Sequence, residues 1–283
     1  MSPGAPVTGR PGITGSEYAR PPHSWRGSVY VAEHRLRDIW KWKRSIIAES
    51  IGNPILYLTA IGIGVGGLVS AGPGQDELGG VSYLVFLAPA LMAAAAMQGA
   101  MTEVMFPTLS GFLWDKGFTA MRATSLTGGQ IANGVLLAAV VRVAFTCVAY
   151  WLALRAFGAV DWASALTLIP VAIMAGACWG AFMLAVTCHA KSDDVLISIS
   201  MRLVIMPIFL FSGTFYPLST LPWSIQWIGW LSPLWYATEL GRWASYGMPL
   251  PGWQAVLGIA YLGTLGLVSH LIARRTFERR LTS

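Results

Sequence analysis

Arg142 and Arg202 each sit inside a long apolar run, in a 283-residue chain of which only 11% is charged. A guanidinium in hydrocarbon is costly, so both must face a bundle interior or an aqueous cavity. A functional and a structural role are open to them: contact with an anionic substrate head group, or else structural pairing with a carbonyl or an acid or snorkelling to the interface. Acids that could relay protons or couple ions are almost missing from the apolar runs, with Glu103 near the end of one of them.

Other chemistry is absent by pattern. A nucleotide-binding P-loop needs Gly directly before its Lys. Lys41, Lys43, Lys116 and Lys191 instead follow Trp, Trp, Asp and Ala. Ser212-Gly213 resembles part of an intramembrane serine protease turn, but Leu210 holds the first Gly position. The histidines (His23, His34, His189, His270) lie in the N-terminal region or toward the expected inner side. No His, Asp and Glu have metal-ligand spacing. Cys147, Cys178 and Cys188 form no CxxC pair and read as packed small hydrophobes. No catalytic or metal residue and no directly bound cofactor is expected.

The composition is that of a polytopic membrane protein, with 55% hydrophobic and only 11% charged residues, against about 25% charged in ordinary soluble domains. Six spans are predicted at about 52–70, 81–102, 132–156, 163–188, 195–215 and 252–272. Each has roughly the 20 residues that cross about 30 Å of hydrocarbon. Backbone satisfaction in lipid makes the bundle all-α. With the N-terminus inside, inner segments hold fifteen Lys and Arg, and outer loops hold Arg155 and Arg242 only. Both termini are therefore expected in the cytoplasm. The net charge of +6 reflects this placement and not a nucleic-acid surface.

Residues 1–24, rich in Pro, Gly and Ser, follow Met1 without an apolar h-region. They read as a disordered cytoplasmic tail and not as a secretory leader. Residues 25–51 intersperse Trp40, Trp42, Ile46 and Ile47 with Arg35, Arg37, Lys41, Lys43 and Arg44. That pattern predicts an amphipathic helix in the inner head-group layer, the alternative being an ordinary soluble helix. Residues 273–283 form a basic cytoplasmic tail. Gly62/Gly66 and Gly176/Gly180 have GxxxG spacing, consistent with packing within one subunit or between two.

The stretch 211–243 is apolar yet broken by Pro217, Pro222 and Pro233, and it carries Trp223, Trp227, Trp230, Trp235 and Trp243. Proline suits the first turn of a helix, and tryptophan prefers the membrane interface. Two short helices, about 221–231 and 233–246, would form an outer re-entrant hairpin over 219–246, between spans 5 and 6, with Glu239 and Arg242 paired on its rim. Phe211, Phe215, Tyr216, Trp223 and Trp227, with Arg142 and Arg202, are the candidate substrate-pathway residues. The tryptophans can equally be anchors of the hairpin.

The longest inner loop, 107–130, mixes Phe112, Leu113, Trp114, Phe118 and Met121 with Asp115, Lys116 and Arg122. Exposed aromatics of this kind suit a short amphipathic helix, about 110–122, that plugs into a cytoplasmic partner or else lies back on the bilayer. With "NPILYLTAIGIGVG", "FLAPALMAAAAMQGAMTE", "WDKGFTAMRATSL" and "FLFSGTFYPLSTLPWSIQWIGWLSPLWYATELGR" in order, the chain resembles the ABC-2-type exporter permeases. The nearest subgroup includes the nodulation-factor (lipo-oligosaccharide) and drug export permeases.

The resemblance covers about residues 30–275. It implies a six-helix transmembrane domain over 52–272, in a bacterial cytoplasmic membrane, working as a homodimer or with a close paralogue. A separate ABC ATPase would bind ATP and Mg and drive export of an amphipathic, lipid-linked or drug-like molecule. Residues 116–126 match the family's coupling helix, 30–48 its interfacial helix, and Glu103 an acid at the cytoplasmic end of span 2. The hairpin would be a lid over the exit path at the dimer seam. Ser125 stands where the family usually has Pro, and the acid often found near Asn133-Gly134 is missing. A membrane-embedded assembly protein or a lipid-modifying enzyme without an ATPase partner is the alternative. A neighbouring reading frame with GxxxxGK[ST] separates the two. Deletion of 112–121, or Phe118→Asp, is expected to leave the chain inserted while abolishing permease-stimulated ATP hydrolysis.

Overall fold

A computed structural model describes residues 25–67, 78, 80–190 and 206–282. The expected N-terminal tail, Arg202, the inner turn at 191–194 and most of the fifth expected span lie outside the described residues. Every regular element among those described is helical.

Helix α1 (Arg26–Lys41) ends at Trp42, and α2 (Lys43–Tyr57) runs on as a π-helix over Leu58–Val65. The break therefore falls at Trp42 and not at 51. One rod joins the basic segment to the apolar one, because no Gly or Pro at its start interrupts the backbone ladder. Pro54 lies inside α2, where it removes one ladder bond and favours the π-type register that follows.

Among the described residues, four helices are long and apolar enough to cross a membrane: 83–114, 128–156, 162–187 and 252–282. They correspond to expected spans 2, 3, 4 and 6. The rod from 43 to 65 starts with Lys43 and Arg44 and carries Glu49, and it is not among the four. Helix α3 (Tyr83–Leu109) is capped by Ser82, which accepts a hydrogen bond from the Val85 N–H at 3.4 Å. A π-turn over Ser110–Trp114 extends it. The short α4 (Gly117–Arg122) follows a left-handed Lys116 at φ 49°. The expected helix over 110–122 is thus two pieces with a sharp bend between them.

Helix α5 (Gly128–Ala156) opens on a capping box. Thr127 Oγ1 accepts from Gln130 N at 3.2 Å, and Gln130 Oε1 accepts from Thr127 N at 2.9 Å. These bonds satisfy donors that no earlier turn can reach. Helix α6 (Ala165–Thr187) packs along α3, and α10 (Gly252–Thr282) packs along α6. Helix α10 stays helical through Thr282, so the basic segment expected as a tail belongs to the last span's own helix. Between them lie α7 (Met206–Phe211), α8 (Trp223–Leu231) and α9 (Pro233–Tyr246). Pro222 is the N-cap of α8, and Pro233 is in the first turn of α9 behind the Ser232 cap. Pro233 matches the first-turn expectation, while Pro222 stands one position earlier, at the cap, and the helix begins at Trp223.

The outward stripe of α5, Leu137, Val141, Phe145, Val148 and Leu152, is exposed and wholly apolar, as a lipid-facing helix surface must be. Inside, a Cβ on Gly176 would lie 2.8 Å from Val143 Cγ1 and 3.0 Å from the Ala96 carbonyl oxygen. One on Gly180 would lie 3.2 Å from Ala100 Cβ. This GxxxG pair therefore brings α6 against α3 and α5 of the same chain. Gly176→Val is expected to lower stability by about 1–3 kcal/mol through overpacking, measured as a reduced thermal midpoint in detergent. An unchanged midpoint would contradict the close packing.

Candidate functional site

Three arrangements hold most of the sequence-predicted residues: an aromatic knot at the loop expected to face inward, a charge cluster within the bundle, and a guanidinium anchor at the other end of α3.

The inner knot is built on Phe112, Phe118 and Phe277. Their ring centroids are 5.0 Å apart for Phe112–Phe118, 4.8 Å for Phe112–Phe277 and 5.3 Å for Phe118–Phe277. The Arg280 guanidinium lies 4.2 Å over the Phe112 ring, and its Nη1 donates to the carbonyls of Cys188 (2.8 Å) and Ala190 (3.0 Å). Arg122 Nη1 donates to the Leu126 carbonyl at 3.1 Å and its Nη2 pairs with Glu278 at 3.7 Å. Glu278 Oε2 also accepts from Gly129 N at 3.0 Å. The end of α10 thus grips both sides of the inner loop. Gly111 permits this approach, since a Cβ there would lie 2.5 Å from the Phe118 ring.

One sequence expectation is corrected here. Phe118 is 2% exposed, because it caps its own chain's core, so it is not an exposed plug. Phe112 and Met121 are half-buried beside it. The exposed tip consists of Trp114, Asp115 and Lys116, with Ser110 Oγ donating to the Asp115 carboxylate. The left-handed turn at Lys116 separates the buried aromatic from the exposed one.

The charge cluster centres on Arg142 of α5, which is 7% exposed. Its Nε lies 3.0 Å from Glu103 Oε1 of α3, and its Nη2 donates to Glu49 Oε2 of α2 at 3.2 Å. The Nε contact is an ion pair and not an aligned hydrogen bond. Arg35 of α1 is half-buried within electrostatic reach of Glu103. Burial lowers its pKa, and Glu103 and then Asp38 oppose that shift. Residues placed in separate roles by the sequence, Glu103 and Arg142, are thus partners. Glu49 and Arg35 were missed. Both sit beside apolar runs, and only their spatial neighbours distinguish them from ordinary flanking charges. Beside the cluster, a cavity of about 50 Å³ is lined by Ser50, Asn53, Gln98 and Thr146 as well as Glu49 and Arg142.

Arg242 of α9 is 1% exposed. Its Nη1 donates to Glu239 Oε1 at 2.9 Å, its Nη2 to the Gly213 carbonyl at 2.7 Å and its Nε to the Phe86 carbonyl at 3.4 Å. The guanidinium also lies 3.7 Å over the Phe86 ring. The expected Glu239–Arg242 pair exists, but it is in the core and not on a rim, because it satisfies carbonyls freed where Gly213 turns at φ 69°. Ser212 Oγ donates to the Ile208 carbonyl and shares a hydrogen bond with Ser232 Oγ at 2.6 Å. A hydroxyl so engaged serves as a joint between α7 and the α9 cap. Tyr83 Oη donates to the Phe215 carbonyl at 3.0 Å, and Tyr216 Oη to the Leu210 carbonyl at 2.8 Å. Phe211, Phe215 and Tyr216 are half-buried, whereas Trp223 and Trp227 are exposed on α8. A second cavity, of about 530 Å³, lies against Phe86, Gln226, Trp230, Trp235, Glu239 and Arg242. The structure does not bring Trp223 or Trp227 together with Arg142.

Residues 31–246, from α1 to the last residue of α9, match the ABC-2 type transporter family. The chain belongs to that family. It is similar to Nodulation protein J of Rhizobium leguminosarum bv. viciae, at 29% identity over 248 residues, 87% of this chain and 92% of the relative. It is also similar to Nodulation protein J of Rhizobium meliloti (strain 1021), at 27% over 266 residues, 93% and 97% of the two chains. A third relative, Nodulation protein J of Rhizobium leguminosarum bv. trifolii, is 30% identical over 217 residues, 76% and 80% of the two. As an ABC-2 type transporter the chain is a membrane component of a transport system. The family match ends before Phe277 and Arg280, so the grip on the inner loop comes from a helix outside the matched stretch.

Because Phe118 is buried, Phe118→Ala is expected to cost about 3–5 kcal/mol, and Phe118→Asp more, by burying an unpaired carboxylate. Thermal unfolding in detergent measures both. A Phe118→Asp protein as stable as the parent would show that the knot is not formed.

Proposed function

We propose that this chain is the membrane-spanning subunit of an ATP-driven exporter, energised by a separate ABC ATPase that binds ATP and Mg and docks on the inner tip. The observation that carries the reading is the tip itself. Trp114, Asp115 and Lys116 project beyond a rigid aromatic knot, so a push on them reaches α3, α5 and α10 together. An exposed indole flanked by one charge of each sign is a small surface with the anchor-and-rim character of a protein contact. Glu103 and Arg142 lie further along the same helices, where such motion would be felt inside the bundle.

In this reading both termini face the cytoplasm of a bacterium, two copies or close paralogues line the path, and the substrate is an amphipathic, lipid-linked or drug-like molecule moved outward. Six spans would complete the domain; the fifth expected span, 195–215, falls largely outside the described residues. Helices α8 and α9 form the outer re-entrant lid, held by Arg242 and anchored at the interface by the exposed tryptophans of α8. No nucleic acid is involved.

The test is reconstitution in lipid vesicles with the ATPase from an adjacent reading frame that carries GxxxxGK[ST]. The pair is expected to copurify, with ATP hydrolysis several-fold above that of the ATPase alone. Trp114→Ala, at an exposed position, should keep the thermal midpoint and reduce stimulation by about tenfold, the loss typical of one interface anchor. Copurification that fails, or stimulation unchanged by Trp114→Ala, would remove the docking assignment.

A further inference from the structure

Arg142 invites the assumption that a lone guanidinium in a membrane bundle receives an anion. Its surroundings argue the reverse. Glu103 at 3.0 Å and Glu49 at 3.2 Å already surround it with two carboxylates, and Arg35 stands within reach of Glu103. The formal charges of Arg35, Arg142, Glu49 and Glu103 sum to zero. A further anion would have to displace a carboxylate from a site where Arg142 is almost fully enclosed, and like charges placed together there repel strongly.

The cavity beside the cluster is nonetheless polar. Ser50 and Thr146 share a hydrogen bond at 3.4 Å across it, and Asn53 and Gln98 add two amides from α2 and α3. Arg142 Nε–H has no aligned acceptor. At roughly 10–15 Å³ for each water, its volume of about 50 Å³ suits a few waters or one small head group. Apolar Leu91 and Phe209 line the same opening.

We infer that Arg142 is a positioning residue that ties α2 to α3 and α5, and that the cavity it lines accepts amphiphile head groups with no net charge, selected by hydrogen bonding. This rests on the transport reading only in taking the cavity as part of a substrate path, and the pairing stands without it. Cluster charge then sets the preference. Arg142→Gln leaves one excess negative charge and should shift selection toward cations. Glu103→Gln leaves one excess positive charge and should shift it toward anions. The two changes together restore neutrality.

The experiment compares three dodecyl amphiphiles on the purified full chain by native mass spectrometry: an uncharged polyethylene glycol ether, dodecyltrimethylammonium and dodecyl phosphate. The parent should bind the uncharged probe at least about tenfold more tightly than dodecyl phosphate. Each single variant should move the preference in its stated direction, and the double variant should return it. Thermal midpoints are read in parallel: Arg142→Gln should lower the midpoint, and adding Glu103→Gln should recover most of the loss. Tightest binding of dodecyl phosphate by the parent, abolished in Arg142→Gln and in the double variant, would make Arg142 an anion receptor and overturn the inference. So would binding of none of the probes, or midpoints indifferent to the substitutions. Stimulation of a partner ATPase is a separate readout: if it persists while the charge preference fails, the transport reading stands and this inference falls.

Discussion

A charge that leaves water must find its partners inside the protein, and two buried guanidiniums organise this bundle around that constraint. Arg242 turns three separate pieces of chain, at Phe86, Gly213 and Glu239, into one joint. Arg142 does the same for α2, α3 and α5 through Glu49 and Glu103. Removing one partner from such a set leaves an uncompensated buried charge, which costs far more than the intact set contributes. The irregular backbone around Gly213 depends on this, since its carbonyl would otherwise lack a donor in a region that water does not reach. Helix α3 touches both sets and so connects the two ends of the molecule.

The loop tip is built on aromatic packing first, with charged contacts added around it. Three phenylalanines close over one another, with Gly111 giving way to Phe118. Arg280 and Glu278 of α10 then fasten the loop from outside the family-matched stretch. In the proposed reading, the packed base under an exposed Trp114–Lys116 tip would convert a local contact into displacement of whole helices. That requirement fits a transporter component that carries no P-loop lysine of its own.

The local signals in the sequence were read correctly where chemistry is local. Pro222 and Pro233 mark the starts of α8 and α9 because a ring that fixes φ and lacks an N–H is tolerated at a helix start. Of the six expected spans, four are helices able to cross a membrane among the described residues. What the sequence hid depends on distance along the chain. Arg142 is separated from Glu49 by 93 positions, so periodicity cannot pair them: the sequence points to Arg142 and Glu103 in separate roles and gives Glu49 none. Phe118 and Trp114 have equal hydrophobic weight in a string of letters. A single left-handed residue, Lys116, sends one to the core and the other to the surface. The segment after 272 read as a tail because its arginines suggest solvent, yet Phe277 at 0% exposure shows a helix still packed on the bundle.

The central claim, that the tip at Trp114–Lys116 receives the ATPase, is tested most directly by site-specific cross-linking. Trp114→Cys in a background lacking Cys147, Cys178 and Cys188 should cross-link to the ATPase subunit in inner-membrane vesicles, with a yield that changes when ATP is bound. Trp223→Cys on α8 should give no such product. Cross-linking of the ATPase at Trp223→Cys, or its absence at Trp114→Cys in a complex that still copurifies, would contradict the account.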